Sequence, residues 1–308
     1  MPSRLVCTYF DSNYLARGIA MIRSLHRVDP AVSILVMALD PPTEKVLKQT
    51  FHDQIRILPQ SALLAADPAL AASRATRSPW AFYATHKPAF LLSALNNTPA
   101  NSRVYFIDAD TWFFSPLSLI ETELDNAPIG LSPHRFPPEN QQLLKYGQFN
   151  AGFLSFLNGP GAIRAVQDWR RDCLDWCGEV PQPGGNFMNQ GYLNHWPKRY
   201  PGVHIIQHPG ANLAPWNVNG HHLAPGPTVD GQPIIFYHFS QTQRDPNGHW
   251  YSLQNYFPNQ TALVIQSIYR PYAQAVDAEN LALKSQYNID ACSTLRQFHL
   301  PPEAIRVH

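Results

Sequence analysis

Short unbroken apolar runs alternate with helically spaced ones over the first 115 or so residues. Arg4 to Tyr9 is the first run, and apolar residues at successive positions predict a strand covered on both faces. Asp11-Ser12-Asn13-Tyr14 follows as a loop, and Leu15 to His26 then places Leu15, Ile19, Ile22 and Leu25 at helical spacing. Val32 to Leu39 predicts a second strand that Pro41-Pro42 stop. Thr43 can then cap a helix through Phe51, before a third strand from Ile55 to Leu58. The Ala-rich stretch Ser61 to Ala75 reads as a surface helix or a partly mobile segment. Ser78-Pro79 opens a helix to Leu95 that carries His86, Lys87 and Pro88, a residue that can kink it.

Val104-Tyr105-Phe106-Ile107 runs straight into Asp108-Ala109-Asp110 and on to Thr111-Trp112-Phe113-Phe114. This predicts a buried strand ending at a polar edge, with Asp108 and Asp110 on one face because side chains alternate along an extended chain. Pro116 to Leu124 reads as a short helix, Ile129 to Ser132 and Phe149 to Phe156 as strands, and Ala162 to Trp176 as an amphipathic helix. Glycine weakens a strand interior unless something needs close approach there, so Gly152 marks a ligand or metal neighbour. Gly184 to Trp196 is a loop passing into a helix, and His208 to Asn217 is too rich in Pro and Gly for regular structure. Ile234 to Phe239 is a last core strand carrying His238, and from Trp250 onward the pattern turns helical. Strands alternating with helices imply a doubly wound α/β class: a mainly parallel sheet flanked by helices, with ligands at the carboxyl ends of the strands. Residues 1–249 form the expected catalytic domain, and 250–308 a helical extension packed on it.

The chain has 308 residues, a net charge of +1 and only 15% charged residues, so no basic face points to nucleic acid. No stretch approaches the length of a membrane span, and Met1-Pro2-Ser3-Arg4 leads directly into a strand, which predicts a cytoplasmic protein. Cys7, Cys173, Cys177 and Cys292 lack zinc spacing and are expected as reduced thiols, with Cys173 and Cys177 half buried on a helix.

Two carboxylates at the end of a buried strand repel each other and resist desolvation, so they ask for a cation. Taken alone, Asp108-Ala109-Asp110 equally fits a strand-end turn in which Asp110 caps the next segment. His238, a core histidine or a ligand, would complete two oxygen donors with an imidazole, a set that suits Mn²⁺ somewhat better than Mg²⁺. An ion held there can act as a Lewis acid.

Asp11-x-Asn13-Tyr14, Asp108-Ala109-Asp110, Phe149-Asn150-Ala151-Gly152, Asn189-Gln190 and Tyr237-His238-Phe239 occur in that order between residues 5 and 240. Together they resemble the metal-dependent, nucleotide-sugar-using glycosyltransferases of the Rossmann-like GT-A fold, closest to the branch of glycogenin and the bacterial lipopolysaccharide galactosyltransferases. The resemblance implies donor binding by Thr8, Tyr9, Asp11, Asn13 and Tyr14, with Tyr14 stacked on the base. It implies Asp108, Asp110 and His238 as metal ligands, with Ala109 beside them. Asn150, Asn189 and Gln190 fall near the donor sugar, and Lys87 falls where relatives place a basic residue on the donor; its alternative is an ordinary solvated helix lysine. Asn212-Leu-Ala-Pro-Trp216-Asn217 looks like a further signature of bacterial relatives. The implied reaction is transfer of a sugar, with retention, from a nucleoside-diphosphate donor to a carbohydrate or other hydroxyl acceptor. A UDP-sugar is favoured because Tyr14 offers a stacking face and Asp11 can accept from the imide N–H of uracil. A glycolipid acceptor would bring the protein to the inner membrane as a peripheral partner.

Two departures qualify the resemblance. The family's usual Asp before Gln190 is Asn189 here, and its late Lys-Pro-Trp is absent, leaving Gln241, Arg244 and His249 nearby for phosphate. An inert nucleotide-sugar-binding protein is therefore one alternative. A metal-dependent nucleotidyltransferase or phosphohydrolase is another, although Thr8 to Leu15 lacks the Gly-rich phosphate loop those enzymes bring.

Overall fold

Strand β1 (Arg4–Phe10) is apolar at nearly every position because both of its faces are covered. Val6 and Phe10 enter one core while Leu5 and Cys7 enter a second on the opposite face. The computed structural model, which describes residues 3–253, 261–291 and 304–308, builds a seven-stranded sheet around this strand. β1 pairs in parallel with β2 (Ser33–Ala38), which pairs in parallel with β3 (Arg56–Pro59); its other edge takes β4 (Arg103–Ile107), also in parallel. Chain direction then reverses. The short β5 (Thr111–Phe113) leaves the sheet, and of β6 (Ile129–Pro133), β7 (Phe149–Leu157) and β8 (Val203–Ile205), it is β7 that runs antiparallel to both β4 and β6. β8 closes the far edge parallel to β6, giving the order β3-β2-β1-β4-β7-β6-β8.

Helices cover both faces, as alternation of strands and helices demands. α1 (Leu15–Val28) and α2 (Pro41–Phe51) pack on the Val6 face, and α3 (Gln60–Ala66), α4 (Pro68–Ser73) and α5 (Pro79–Asn96) on the Leu5 face. α6 (Ser118–Leu124) joins the first group, while α7 (Pro160–Asp175) and α8 (Trp196–Arg199) join the second. Beyond the sheet come a small three-stranded ribbon of β9 (Leu223–Ala224), β10 (Thr228–Val229) and β11 (Gln232–Pro233), and then β12 (Phe236–His238), which pairs with β5. The C-terminal part contributes α9 (Thr261–Val264), a π-helical turn at Ile265–Tyr269, and α10 (Arg270–Tyr287), which lies against α1 with Arg23 and Glu279 3.2 Å apart. No helix of the described residues is long and apolar enough to cross a membrane.

Several expectations are corrected. The single strand from Val104 to Phe114 is two, β4 and β5, broken at the aspartates and belonging to different sheets. Ser61 to Ala75 is helical, as the first of its two readings had it, but as two helices, α3 and α4, and a 3-10 turn instead of one. Asp40, rather than Thr43, caps α2, accepting from the Thr43 amide at 2.9 Å; the two prolines open the helix, where a missing N–H costs nothing. The segment from Trp250 is not helical from its start, since β14 (Trp250–Ser252) pairs with β13 (Thr242–Arg244) before it and with β15 (Ile305–Arg306) at the far end. The thiols of Cys173 and Cys177 are fully buried rather than half buried, and Cys292 lies outside the described residues.

Pro88 sits inside α5, and the helix continues through it. Because proline has no N–H, the carbonyl of Ala84, four residues back, has no helical donor. Asn189 supplies one: its Nδ2 donates to Ala84 O at 2.8 Å, and its own carbonyl accepts from Trp169 Nε1 on α7, also at 2.8 Å. Both groups are buried, so an aspartate at 189 would place a lone pair where a donor is required. Asn189→Asp is therefore expected to cost roughly 1–3 kcal/mol in urea unfolding. Pro88→Ala, which restores the helical donor, should recover part of that loss in the double mutant. Strict additivity of the two changes would show that the positions are not linked.

Candidate metal and nucleotide site

The main chain between β4 and β5 is pinned from three directions. Asp108 N donates to Gly152 O on β7 at 2.9 Å, Phe239 N donates to Asp110 O at 2.7 Å, and Thr111 Oγ1 donates to Asp108 O at 3.0 Å. Asp108 and Asp110 thus sit in a turn, and their carboxylates converge because the turn is held, not because a strand alternates. The β5–β12 pairing sets Thr111 opposite His238 and so carries the imidazole to the same place. One ligand atom each from Asp108, Asp110 and His238 lie within 4.8 Å of one another. His238 Nε2 is 3.2 Å from Asp110 Oδ1 and 4.0 Å from Asp108 Oδ2.

A polar chain behind His238 fixes which nitrogen faces the acids. His238 Nδ1 is 3.2 Å from Asn212 Oδ1, and Asn212 Nδ2 donates to Ser132 Oγ at 3.0 Å and to Asn150 Oδ1 at 3.2 Å. Asn150 Oδ1 also accepts from Gly152 N at 2.9 Å, which turns its Nδ2 toward His134 Nε2, 3.3 Å away. Burial pushes His134 down to about 4, so that ring stays neutral, and facing the Asn150 Nδ2 donor its Nε2 is the acceptor. Hydrogen bonds of this kind orient a ligating histidine. Trp216 braces the ring edge-on, with centroids 5.2 Å apart. The sequence marked Asn212 and Trp216 as part of an irregular loop and of a further signature of bacterial relatives, without placing either beside His238, where Asn212 is fully buried.

Gly152 supplies the space. A Cβ there would stand 2.6 Å from Asp108 Oδ2, from His238 Cε1 and from Asn150 Oδ1. Two carboxylates, one oriented imidazole and a side-chain-free floor make a donor set that fits a divalent ion.

Lys87 is no solvated lysine. It is 5% exposed, and its ammonium donates to Asp108 Oδ1 and to Ala151 O, both at 2.9 Å, above the Phe106 ring at 4.2 Å. Burial works against an imidazolium at His238, but the charge and hydrogen bond of Asp110 outweigh it and raise the His238 pKa above its ordinary value. Burial likewise works against the Asp110 carboxylate, and the charge and hydrogen bond of His238 hold its pKa below the ordinary value. Lys87 and His238 thus balance the two acids.

The other sequence-derived residues divide. Asp11 accepts from Asn13 N at 3.1 Å and Asn13 Nδ2 at 3.2 Å, shaping the turn that holds half-buried Tyr14, whose ring has the Arg17 guanidinium 5.0 Å from its centroid. Asp40 accepts from Ser12 N at 2.9 Å and ties this turn to the end of β2. Thr8 is fully buried in β1, and the Tyr9 hydroxyl donates to Tyr83 O at 3.0 Å. Ala109 is buried within the aspartate turn. Gln190 Nε2 donates to Tyr146 O at 2.8 Å, and the Asn189 amide is turned to α5. Gln241 is an exposed turn residue at φ 57°, Arg244 pairs with Asp277 of α10 at 2.9 Å, and His249 with Asp245 at 3.2 Å. The structure thus brings Lys87, Asp108, Asp110, Asn150 and His238 together, while the hydrogen bonds and ion pairs of Asn189, Gln190 and Arg244 go elsewhere.

Gly152→Ala is expected to cost about 1–3 kcal/mol through overpacking and to weaken Mn²⁺ binding, measured by electron paramagnetic resonance, by tenfold or more. A protein that bound Mn²⁺ unchanged with alanine at 152 would place the ion elsewhere. The His238–Asp110 pair also predicts a pH signature in chelator. The raised histidine contributes fully at low pH and loses its contribution as pH rises through its folded pKa; the depressed aspartate loses its contribution as pH falls through its own. Wild type should therefore exceed His238→Gln in melting temperature most at mildly acidic pH. A gap that widened toward alkaline pH would contradict the pairing.

No protein-family model matches the chain. Two uncharacterized proteins of Bacillus subtilis strain 168 do: YfnF is 32% identical over 245 residues, 76% of this chain and 80% of its own, and YfnD is 28% identical over 274 residues, 86% of each. Among solved structures, the galactosyltransferase LgtC in complex with donor and acceptor sugar analogs superposes with a TM-score of 0.52 at 16% identity, covering 89% of this chain and 95% of that one. The glycosyltransferase GlyE of Streptococcus pneumoniae TIGR4 gives 0.51 at 11% identity over 97% of this chain and 66% of that one. With its mainly parallel sheet, its split aspartate turn and these likenesses, the chain belongs to the family of YfnF and YfnD and has the GT-A fold of the glycosyltransferases.

Proposed function

We propose that this protein is a metal-dependent glycosyltransferase that moves a sugar from a nucleoside-diphosphate donor, a UDP-sugar, to a carbohydrate or other hydroxyl acceptor with retention. The convergence of Asp108, Asp110 and His238 over Gly152 carries the proposal. Asp108, Asp110 and the Nε2 of His238 would hold Mn²⁺ or Mg²⁺, and a bound ion supplies charge to the departing diphosphate. Lys87 has three N–H donors and spends two of them on Asp108 and Ala151, leaving one for a phosphate oxygen. Tyr14 and Asp11 lie at the carboxyl end of β1, where the fold class places ligands, and serve the uracil. Asn150, locked by Gly152 N and Asn212, orients His238 rather than working as an acid or base, since amides do neither near neutral pH. Asn189 in place of aspartate has its own account at Ala84 and offers no support for an inert binding protein. The buried free thiols suit a cytoplasmic location.

A phosphate charge within about 4 Å of a carboxylate meets repulsion of roughly 4 kcal/mol at an effective dielectric of 20, which Lys87 at Asp108 and His238 at Asp110 offset only in part. UDP and metal affinities should therefore rise together. Calorimetric titration of UDP at several Mn²⁺ concentrations is expected to show steep dependence in wild type. That dependence should be nearly lost in Asp108→Asn and Asp110→Asn and reduced less in His238→Ala, with GDP binding weaker than UDP throughout. UDP affinity indifferent to EDTA would remove the metal from the proposal, and equal GDP and UDP affinities would remove the uridine.

A further inference from the structure

Trp80 is 60% exposed, an unusual state for the largest apolar side chain in a folded protein. It lies in the first turn of α5, and its position on that helix is specific. Positions 80, 84 and 87 share one stripe of an α-helix, so Trp80 projects from the side of α5 that sends Lys87 to Asp108 and presents Ala84 O to Asn189. About 10 Å of helix axis separates Trp80 from Lys87, roughly two turns. On one flank Tyr83 lies within electrostatic range of Asp11 and Asp40, at the turn assigned to the nucleobase. On the other flank Ser78, the cap of α5, donates its hydroxyl to Glu179, which brings the equally exposed Val180 alongside. Trp80 thus stands at the start of α5, two turns from Lys87, where the helix meets the Asp11–Tyr14 turn at Tyr83 and the Glu179 loop at Ser78.

We propose that Trp80 is the stacking platform for a pyranose ring of the acceptor glycan, an inference that rests on the glycosyltransferase function proposed above. A pyranose has one face of C–H groups and a rim of hydroxyls. A flat indole removes the apolar face from water while the rim stays solvated, the division of labour for which amphipathic aromatics suit binding surfaces. The donor sugar is tied to the β-phosphate at the aspartates and Lys87, so a ring two helical turns away belongs to the other substrate.

The test uses the full chain, saturated with UDP and Mn²⁺, on a broad glycan array, as wild type, Trp80→Ala and Trp80→Phe. Wild type is expected to retain a set of pyranose glycans, Trp80→Ala to lose them by at least about tenfold, and Trp80→Phe to keep most. Because the side chain is exposed, all three should melt alike and bind UDP alike. Retention of the same glycans by Trp80→Ala, or none by a wild type that binds UDP, would overturn the platform. Failure of wild type to bind UDP with Mn²⁺ would instead overturn the donor assignment beneath it.

Discussion

The contact between Lys87 and Asp108 is the constraint around which the site is arranged. Two carboxylates close together at the end of a buried strand destabilise a fold unless something positive lies beside them, and here the answer is built into the chain. The cation is itself expensive to bury, which is why it carries so many partners: a carboxylate, the Ala151 carbonyl and the face of Phe106. His238 repeats the arrangement at Asp110. The protein can therefore assemble this corner from internal charges alone, and an ion bound there would enter a place already shaped.

One helix carries much of that shape. α5 delivers Lys87 to the aspartates, anchors the 189 loop through Ala84 and accepts the Tyr9 hydroxyl of β1 at Tyr83 O. Its inner side packs on α7 and the sheet, so its position is set by the core and not by the ligands. The second support is β7, whose Gly152 lets the aspartate turn and the imidazole approach its backbone, and whose Asn150 holds the chain of hydrogen bonds behind them.

What could be read in advance follows from which physical signals are local. The strands around Val6, Phe106 and Leu154 were legible because burial on both faces leaves long apolar runs, and Asp108, Asp110 and His238 because carboxylates and imidazole have few uses in such runs. The break between β4 and β5 was not legible, since Trp112 and Phe113 look like continuing strand and only the partner, β12, shows that they belong to another sheet. The burial of Lys87 was equally hidden, because a helix lysine meets its carboxylate only once α5 is laid on β4. The place of Asn212 behind His238 was the clearest omission. Its two hydrogen bonds to β6 and β7 and its contact with His238 join segments far apart in the chain, and no spacing announces them.

The carbonyl left open by Pro88 has a consequence for how this chain could have changed over time. Once a proline interrupts the hydrogen bonding of α5, position 189 must donate, and an amide does so where a carboxylate cannot. Substitutions at 88 and 189 are then tied in order: an aspartate arriving at 189 before an N–H is regained at 88 meets a penalty, while the reverse order passes through a tolerated intermediate. At 189 an asparagine meets the demand that Pro88 creates, which the aspartate of the glycosyltransferases it resembles could not.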